Sequence, residues 1–117
     1  MSTTHLDQLD TMSAVVEHAR RHGDLAATIL SVGVGTGRAV VHLDASGDAG
    51  RADLVRWARS IGATEVVEDV TTLARGFKVL GHLVSGVPVT VRMANLRPAD
   101  APRASRLSLD EFAGVAR

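Results

Sequence analysis

His18 and His22 stand four residues apart, a spacing that sets two imidazoles on one face of a helix where they can share a metal ion. Further ligands would have to come from His42, His82, Glu65 or Asp24, and nothing in the spacing brings these together. With Arg20 and Arg21 between them, the two histidines fit better as polar groups complementing the negative end of a helix dipole. Gly33, Gly35 and Gly37 offer backbone amides to an anion, yet there is no Gly-x-Gly-x-x-Gly, no Lys-Ser/Thr pair and no following helix N-terminus. They read as a hairpin loop. Serines and histidines occur, but local spacing pairs no nucleophile with a base, and the acids form no dyad. The expectation is a nonenzymatic protein without metal or cofactor.

Anion recognition is the remaining chemistry. Twelve of the 13 basic residues are arginine, whose planar guanidinium donates two parallel hydrogen bonds to phosphate or carboxylate; codon usage in a GC-rich genome accounts for the same bias. Arg51, Val55 and Arg59 fall along one helix face with Arg56 adjacent, and Arg97, Arg103 and Arg106 follow in the tail. Together these arginines form the nucleic-acid alternative, tracking phosphates; the plainer reading is a solvated face. A helix-turn-helix is excluded because the element before this helix is a strand. Formal charge is zero, and Trp57, Phe77 and Phe112 are the whole aromatic inventory, so platforms for stacking bases are scarce. The absence of cysteine excludes disulfides, thiol catalysis and thiolate metal sites. With no signal-like N-terminus and no apolar run of about 20 residues, a cytoplasmic location without membrane contact is expected.

The elements that must position these residues are legible from periodicity. Residues 5–22 read as an amphipathic helix, with Thr4 as N-cap, Leu9, Met12, Val16 and Ala19 as the apolar stripe and Gly23 as stop. Residues 26–33 and 38–44 alternate as a hairpin, and pairing Gly33 with Arg38 sets Leu30 by Val41 and Thr28 by Leu43. A helix follows from about Arg51 to Ile61, capped by Ser46 or Asp48, with Leu54, Trp57, Ala58 and Ile61 inward. Residues 64–70 form the next strand. Residues 76–93 form a second hairpin around Val84-Ser85-Gly86. Gly86 as the left-handed residue of a bulge pairs Leu83 with Val87, Gly81 with Val89, Val79 with Val91 and Phe77 with Met93. A two-residue loop would instead drive Lys78 and His82 into the packed face.

Pairing Val70 with Phe77 sets Asp69 beside Lys78 and Arg92, a charge ladder across three strands. It also turns Glu68 inward opposite Val79. Three accounts of that acid stay open: a bulge at Val66-Val67, an edge strand guarded by an inward charge, or a functional carboxylate. Beyond Asn95 a Pro/Ala/Arg-rich linker leads to a short helix announced by a Ser108/Glu111 capping box and a Leu107/Phe112 staple. Too short to stand alone, that helix must dock.

The resulting architecture is α+β in the order α-β-β-α-β-β-β-α, with a predominantly antiparallel five-stranded sheet. Residues 1–95 form one domain, and 96–117 a linker with a docking helix. The sheet's outer face carries Ile29, Val40, Val67, Leu80 and Thr90 as an apolar band, rimmed by Lys78, Arg92, Asp69, Glu65 and His82. A contiguous apolar patch on one sheet face marks coverage or interaction. The run from Val40 to Val91, through Trp57-Ala58-Arg59-Ser60-Ile61-Gly62-Ala63-Thr64-Glu65-Val66 and Gly86-Val87-Pro88-Val89-Thr90-Val91, resembles small uncharacterised proteins of actinobacteria and their phages and mobile elements. That resemblance implies an α+β fold and an accessory role, with no catalytic motif. The expected function is interaction, through self-association as a homodimer or binding of another protein at the outer face.

Overall fold

A computed structural model of the protein describes residues 8–35, 37–45, 47–70, 75–94 and 106–115. Helix α1 (Gln8–Arg21) passes through a 3-10 turn (Gly23–Thr28) into β1 (Ile29–Gly35) and β2 (Arg38–Leu43). Helix α2 (Gly47–Ser60) then leads to β3 (Glu65–Val70), β4 (Arg75–His82) and β5 (Pro88–Ala94), and β6 (Arg106–Ser108) precedes α3 (Leu109–Val115). The sheet has six strands rather than five, in the order β1-β2-β5-β4-β3-β6. It is mixed: β2 and β5 run parallel, and every other neighbouring pair is antiparallel.

The hairpin of β4 and β5 has the register that its turn chemistry demands. Phe77 faces Met93, Val79 faces Val91 and Gly81 faces Val89. The Leu83 N–H donates to the Val87 carbonyl at 2.9 Å, and Gly86 sits at φ 91°, a conformation that a side chain would strain. Alternation along β2, β4 and β5 sends Ala39, Val41, Phe77, Val79, Val89, Val91 and Met93 into one core, where they meet Leu54, Trp57 and Ala58 of α2. All of the described helices pack on this one face of the sheet.

Two other registers slip by two residues from the sequence expectation. Gly35, not Gly33, lies opposite Arg38, so the turn is two residues long, and a bulge between Ile29 and Ser31 then turns Ile29 toward the core. Ile29 therefore leaves the outer band, and Leu30 is 65% exposed in its place. On β3, Glu68 rather than Val70 faces Phe77, and Val67 rather than Asp69 faces Lys78. The charge ladder is corrected accordingly: in the backbone register Asp69 lies opposite Gly76. Glu68 stays on the core side. The register shows no bulge at Val66-Val67, β3 is not an edge because β6 pairs beyond it, and Glu68 engages a partner within the chain.

The caps explain both ends of the α-helical layer. Helix α2 begins at Gly47, a turn earlier than periodicity suggests, with Asp48 in its first turn. At α3 the Ser108 hydroxyl accepts from the Glu111 N–H at 3.1 Å while the Glu111 carboxylate accepts from the Ser108 N–H at 3.0 Å, a reciprocal capping box. A seven-residue helix has no stability of its own, and α3 is held by burying Phe112 against Phe77, ring centroids 4.9 Å apart. Thr4, Ser46 and residues 95–105, with Arg97 and Arg103, lie outside the described residues.

Helix α1 is rolled relative to its expected stripe. Thr11, Val15, His18 and Ala19 are buried, whereas Leu9 is 77% and Val16 42% exposed. Close approach also decides one glycine. A Cβ at Gly81 would overlap the Ile61 carbonyl oxygen, which accepts the His82 N–H at 3.2 Å. Gly81→Ala is expected to lower unfolding free energy by about 2 kcal/mol in a denaturant titration, because backbone rather than a flexible side chain must move. Gly33→Ala, with nothing within 4 Å of the added methyl, is expected to change it by less than about 0.5 kcal/mol.

Candidate functional site

The first candidate, the histidine pair, resolves into structure. Near the C-terminal end of α1, His18 is fully buried, stacked at 5.7 Å on Trp57 of α2 and 4.5 Å from the His22 ring. Its Nδ1 accepts the Val84 N–H at 3.0 Å, so the neutral ring carries its proton on Nε2, which donates to Ser60 Oγ at 2.9 Å. Ser60 in turn donates to the Trp57 carbonyl at 2.7 Å. The indole N–H donates to Thr28 Oγ1 at 2.9 Å, and that hydroxyl donates to the Leu25 carbonyl at 2.6 Å. Both nitrogens of His18 are therefore committed, and its ring cannot take the Ser60 proton as a catalytic base would. Among the described residues no cluster of three or more His, Asp or Glu is placed to hold a metal ion.

Beside this relay lies a depression of about 350 Å³ lined by His22, Asp24, Leu25, Arg56, Arg59 and Ser60. Arg56 pairs with Asp53 and, at 3.8 Å, with Asp24, and the Ser60 hydroxyl is already used. The expected arginine face of α2 is thereby dismantled. Arg51 is buried and bonds Asp48 at 3.3 Å, Val55 beside it is also buried, and Arg59 alone of the three helix arginines stays exposed without an ion pair to Asp48, Asp53 or Asp24. Arg51 lies three and four residues before Leu54 and Val55, a position on the buried stripe that the sequence already signalled. Of the tail arginines, Arg106 lies on β6, 3.6 Å from Glu65.

The outer sheet face is the feature that the fold leaves over. The strand pairings align Val40, Thr90 and Leu80 in one row across β2, β5 and β4. The next row runs His42, Arg92, Lys78, Val67 and Arg106 across β2, β5, β4, β3 and β6. Leu80 is 55% exposed, Val40, Val67 and Thr90 are half-buried, and no described helix covers them. A shallow groove of about 390 Å³ opens here, lined by Arg38, Val40, Leu80, His82, Pro88 and Thr90. Lys78 and Arg92 stand directly opposite one another, and the neighbour of Lys78 on its other side is the apolar Val67. Trp57, Phe77 and Phe112 are all fully buried, so among the described residues this face offers a base imidazole and guanidinium planes but no Trp or Phe ring.

The surface thus sets an apolar row, Val40 and Leu80 with Thr90 between them, beside the basic residues Arg38, Arg92 and Lys78. Of the expected surface residues, Val40, Val67, Leu80, His82, Thr90, Lys78 and Arg92 share it, while Ile29 does not. No helix among the described residues is long and apolar enough to cross a membrane. No protein family, curated protein or solved structure matches the chain.

The relay makes a pH prediction. Burial, with the nearby His22 adding to it, lowers the His18 pKa from 6.5 to about 4. Between those values the unfolded chain binds a proton that the folded chain refuses, so stability is full above about pH 6.5 and falls as pH drops toward 4. The expected slope approaches 1.4 kcal/mol per pH unit at most, about 2–3 kcal/mol in total. His18→Gln should remove that component, read as the difference between wild-type and variant denaturation midpoints across pH 4–7. The Glu111 carboxyl, also held low by the Ser108 N–H and hydroxyl, is common to both proteins and cancels.

Proposed function

We propose that this protein is a nonenzymatic interaction module whose open sheet face docks another protein, one that presents apolar side chains within an acidic surround. The observation that carries this reading is the juxtaposition of Lys78 and Arg92 beside the exposed Leu80 row. Positive charge and an apolar strip thus lie side by side on a face that no described helix covers. An anionic, apolar partner gains from both, through complementary potential and removal of apolar area from water. A second copy seated face to face on the same surface would instead set cations near cations. An accessory role in a phage or mobile element, implied by the resemblance of residues 40–91, accords with a small module of this kind.

The nucleic-acid alternative keeps a weaker footing. Two of its helix arginines are taken up within the chain, Arg97 and Arg103 lie outside the described residues, and the outer face offers charge without an exposed Trp or Phe ring. Phosphate tracking alone would announce itself as affinity that falls steeply with salt.

Two measurements test the proposal. Lys78→Thr should leave the fold intact in thermal unfolding, since it sets a β-branched residue on an outward strand position, and should weaken capture of an acidic, apolar peptide by about threefold. A random peptide library displayed against the wild type should return sequences that combine Asp or Glu with Leu, Ile or Phe, and Leu80→Glu should weaken their binding by about tenfold or more while the protein stays folded. Selected peptides indifferent to Leu80→Glu, or duplex DNA bound more tightly than any of them with a steep salt dependence, would overturn it.

A further inference from the structure

We infer that the β1 edge of the sheet, together with the outward flank of α1, is a self-association surface at which a second copy of this chain pairs antiparallel. It is a different surface from the sheet face and stands on separate observations. The two edges of the sheet are unlike. At one edge β6 is three residues long and presents Arg106 against Glu65, the short and charged kind of edge that resists further pairing. At the other, β1 runs seven residues, Ile-Leu-Ser-Val-Gly-Val-Gly, with no charge and no proline. Among the described residues its only guard is the bulge at Leu30, which leaves Ser31 to Gly35 in regular register. Gly35 and Arg38 close a two-residue turn and so form a hydrogen-bonded pair, which by alternation directs the N–H and C=O of Val32 and Val34 to the free edge.

Helix α1 lies over this edge, packed on β1 and β2. His18 marks the side of α1 that meets α2, through Ser60 and Trp57. At 3.6 residues per turn, Val16 and Leu9 lie about 160° and 180° around the helix from His18, with Met12 between them and the sheet. The exposed apolar flank of α1 therefore points away from α2, beyond the strand edge. Leu30, 65% exposed, lies on that same edge.

Charge and area select the occupant. A twofold axis normal to the sheet would set β1 antiparallel to its copy and α1 beside its copy. Neither the strand nor Leu9, Met12 and Val16 carries a charge, and Arg20, exposed one turn beyond Val16, lies at one end of the flank, which helices antiparallel about their middle keep away from the copy's Arg20. A seven-residue strand is about 24 Å long. Sheet and helix layers together are about 20 Å thick, giving about 500 Å² per copy and about 1,000 Å² in all, the lower bound for a specific interface. The two six-stranded sheets would become one of twelve, with both outer faces on the same side.

Sedimentation or light scattering over a concentration series tests this on the full chain. The expected wild-type result is reversible dimerisation. Val16→Glu on the helix flank and Gly33→Lys on the strand should each weaken it by about tenfold or more with the far-ultraviolet circular dichroism unchanged, whereas Leu80→Glu should leave it intact. Gly33 has nothing within 4 Å of an added Cβ, so the lysine fits the fold. Should Val16→Glu unfold, amide exchange at Val32 and Val34 in the wild type decides the matter: protection that rises with protein concentration is expected. A wild type that stays monomeric at every concentration, or a dimer that Leu80→Glu dissociates and Gly33→Lys does not, would overturn the inference.

Discussion

The neutral imidazole of His18 is the pin on which the helical layer turns. A fully buried ring with both nitrogens engaged, one by the Val84 N–H and one by Ser60 Oγ, has a single acceptable position and a single tautomer. That position ties α1 to α2 and to the β4–β5 turn at once, and Trp57 extends the tie to the 3-10 turn through Thr28. Breaking one member would leave buried donors unsatisfied, each at a cost of about 1–3 kcal/mol, so the relay holds as a unit. Its direct consequence is the roll of α1. With His18 turned toward Trp57, Leu9 and Val16 cannot also face the core, and these two residues that periodicity assigned inward are exposed while Ala19 stays buried.

The same relay accounts for where sequence reading of α1 stops. Residues 9, 12, 16 and 19 form an apolar helical stripe, and residues 11, 15 and 18 form the stripe beside it. Hydrophobicity prefers the former, but burial took the latter, with Ala19 shared between them, because Ser60 Oγ and the Val84 N–H are placed to bond His18. No local signal marks those partners, which lie on other elements. In the sheet the limit is different. Alternation assigns faces, and a slip of two residues leaves every face intact. The outer row of Val40, Leu80, Thr90, Lys78 and Arg92 was therefore readable even though the β1–β2 and β3–β4 registers each differ by two. Only the hairpin with a decisive turn residue, Gly86, had a readable register. Three glycines at 33, 35 and 37 left the first turn ambiguous, and the bulge that moves Ile29 inward has no signature beyond the chain that follows it.

The sixth strand is a subtler case. The capping box and staple around Ser108 were legible as a helix start, and they dictate where α3 begins. They are silent on the three residues before it, and Arg106 to Ser108 joins the sheet because β3 would otherwise expose its outer N–H and C=O groups. That capture changes the meaning of Glu68, which would have guarded an edge and instead lies inside a sheet whose guard is the Arg106–Glu65 pair.

Burial of all three aromatic rings decides the chemistry of what is left outside. Trp57, Phe77 and Phe112 complete the core and dock α3, so the outer sheet face is built from aliphatic side chains, Thr90, imidazoles and cations, with no Trp or Phe ring among its described residues. Aliphatic strips contribute through area removed from water and make no directional demand; guanidinium and ammonium groups recognise anions at close range. A small polar ligand needs convergent, precisely placed donors in a concave site. The outer groove is shallow, and its cations are spread along strand rows rather than turned toward a point. Such a layout suits a ligand as wide as the sheet, with charge and apolar groups distributed over its own surface, and it is on this ground that the proposed partner is a protein rather than a small molecule.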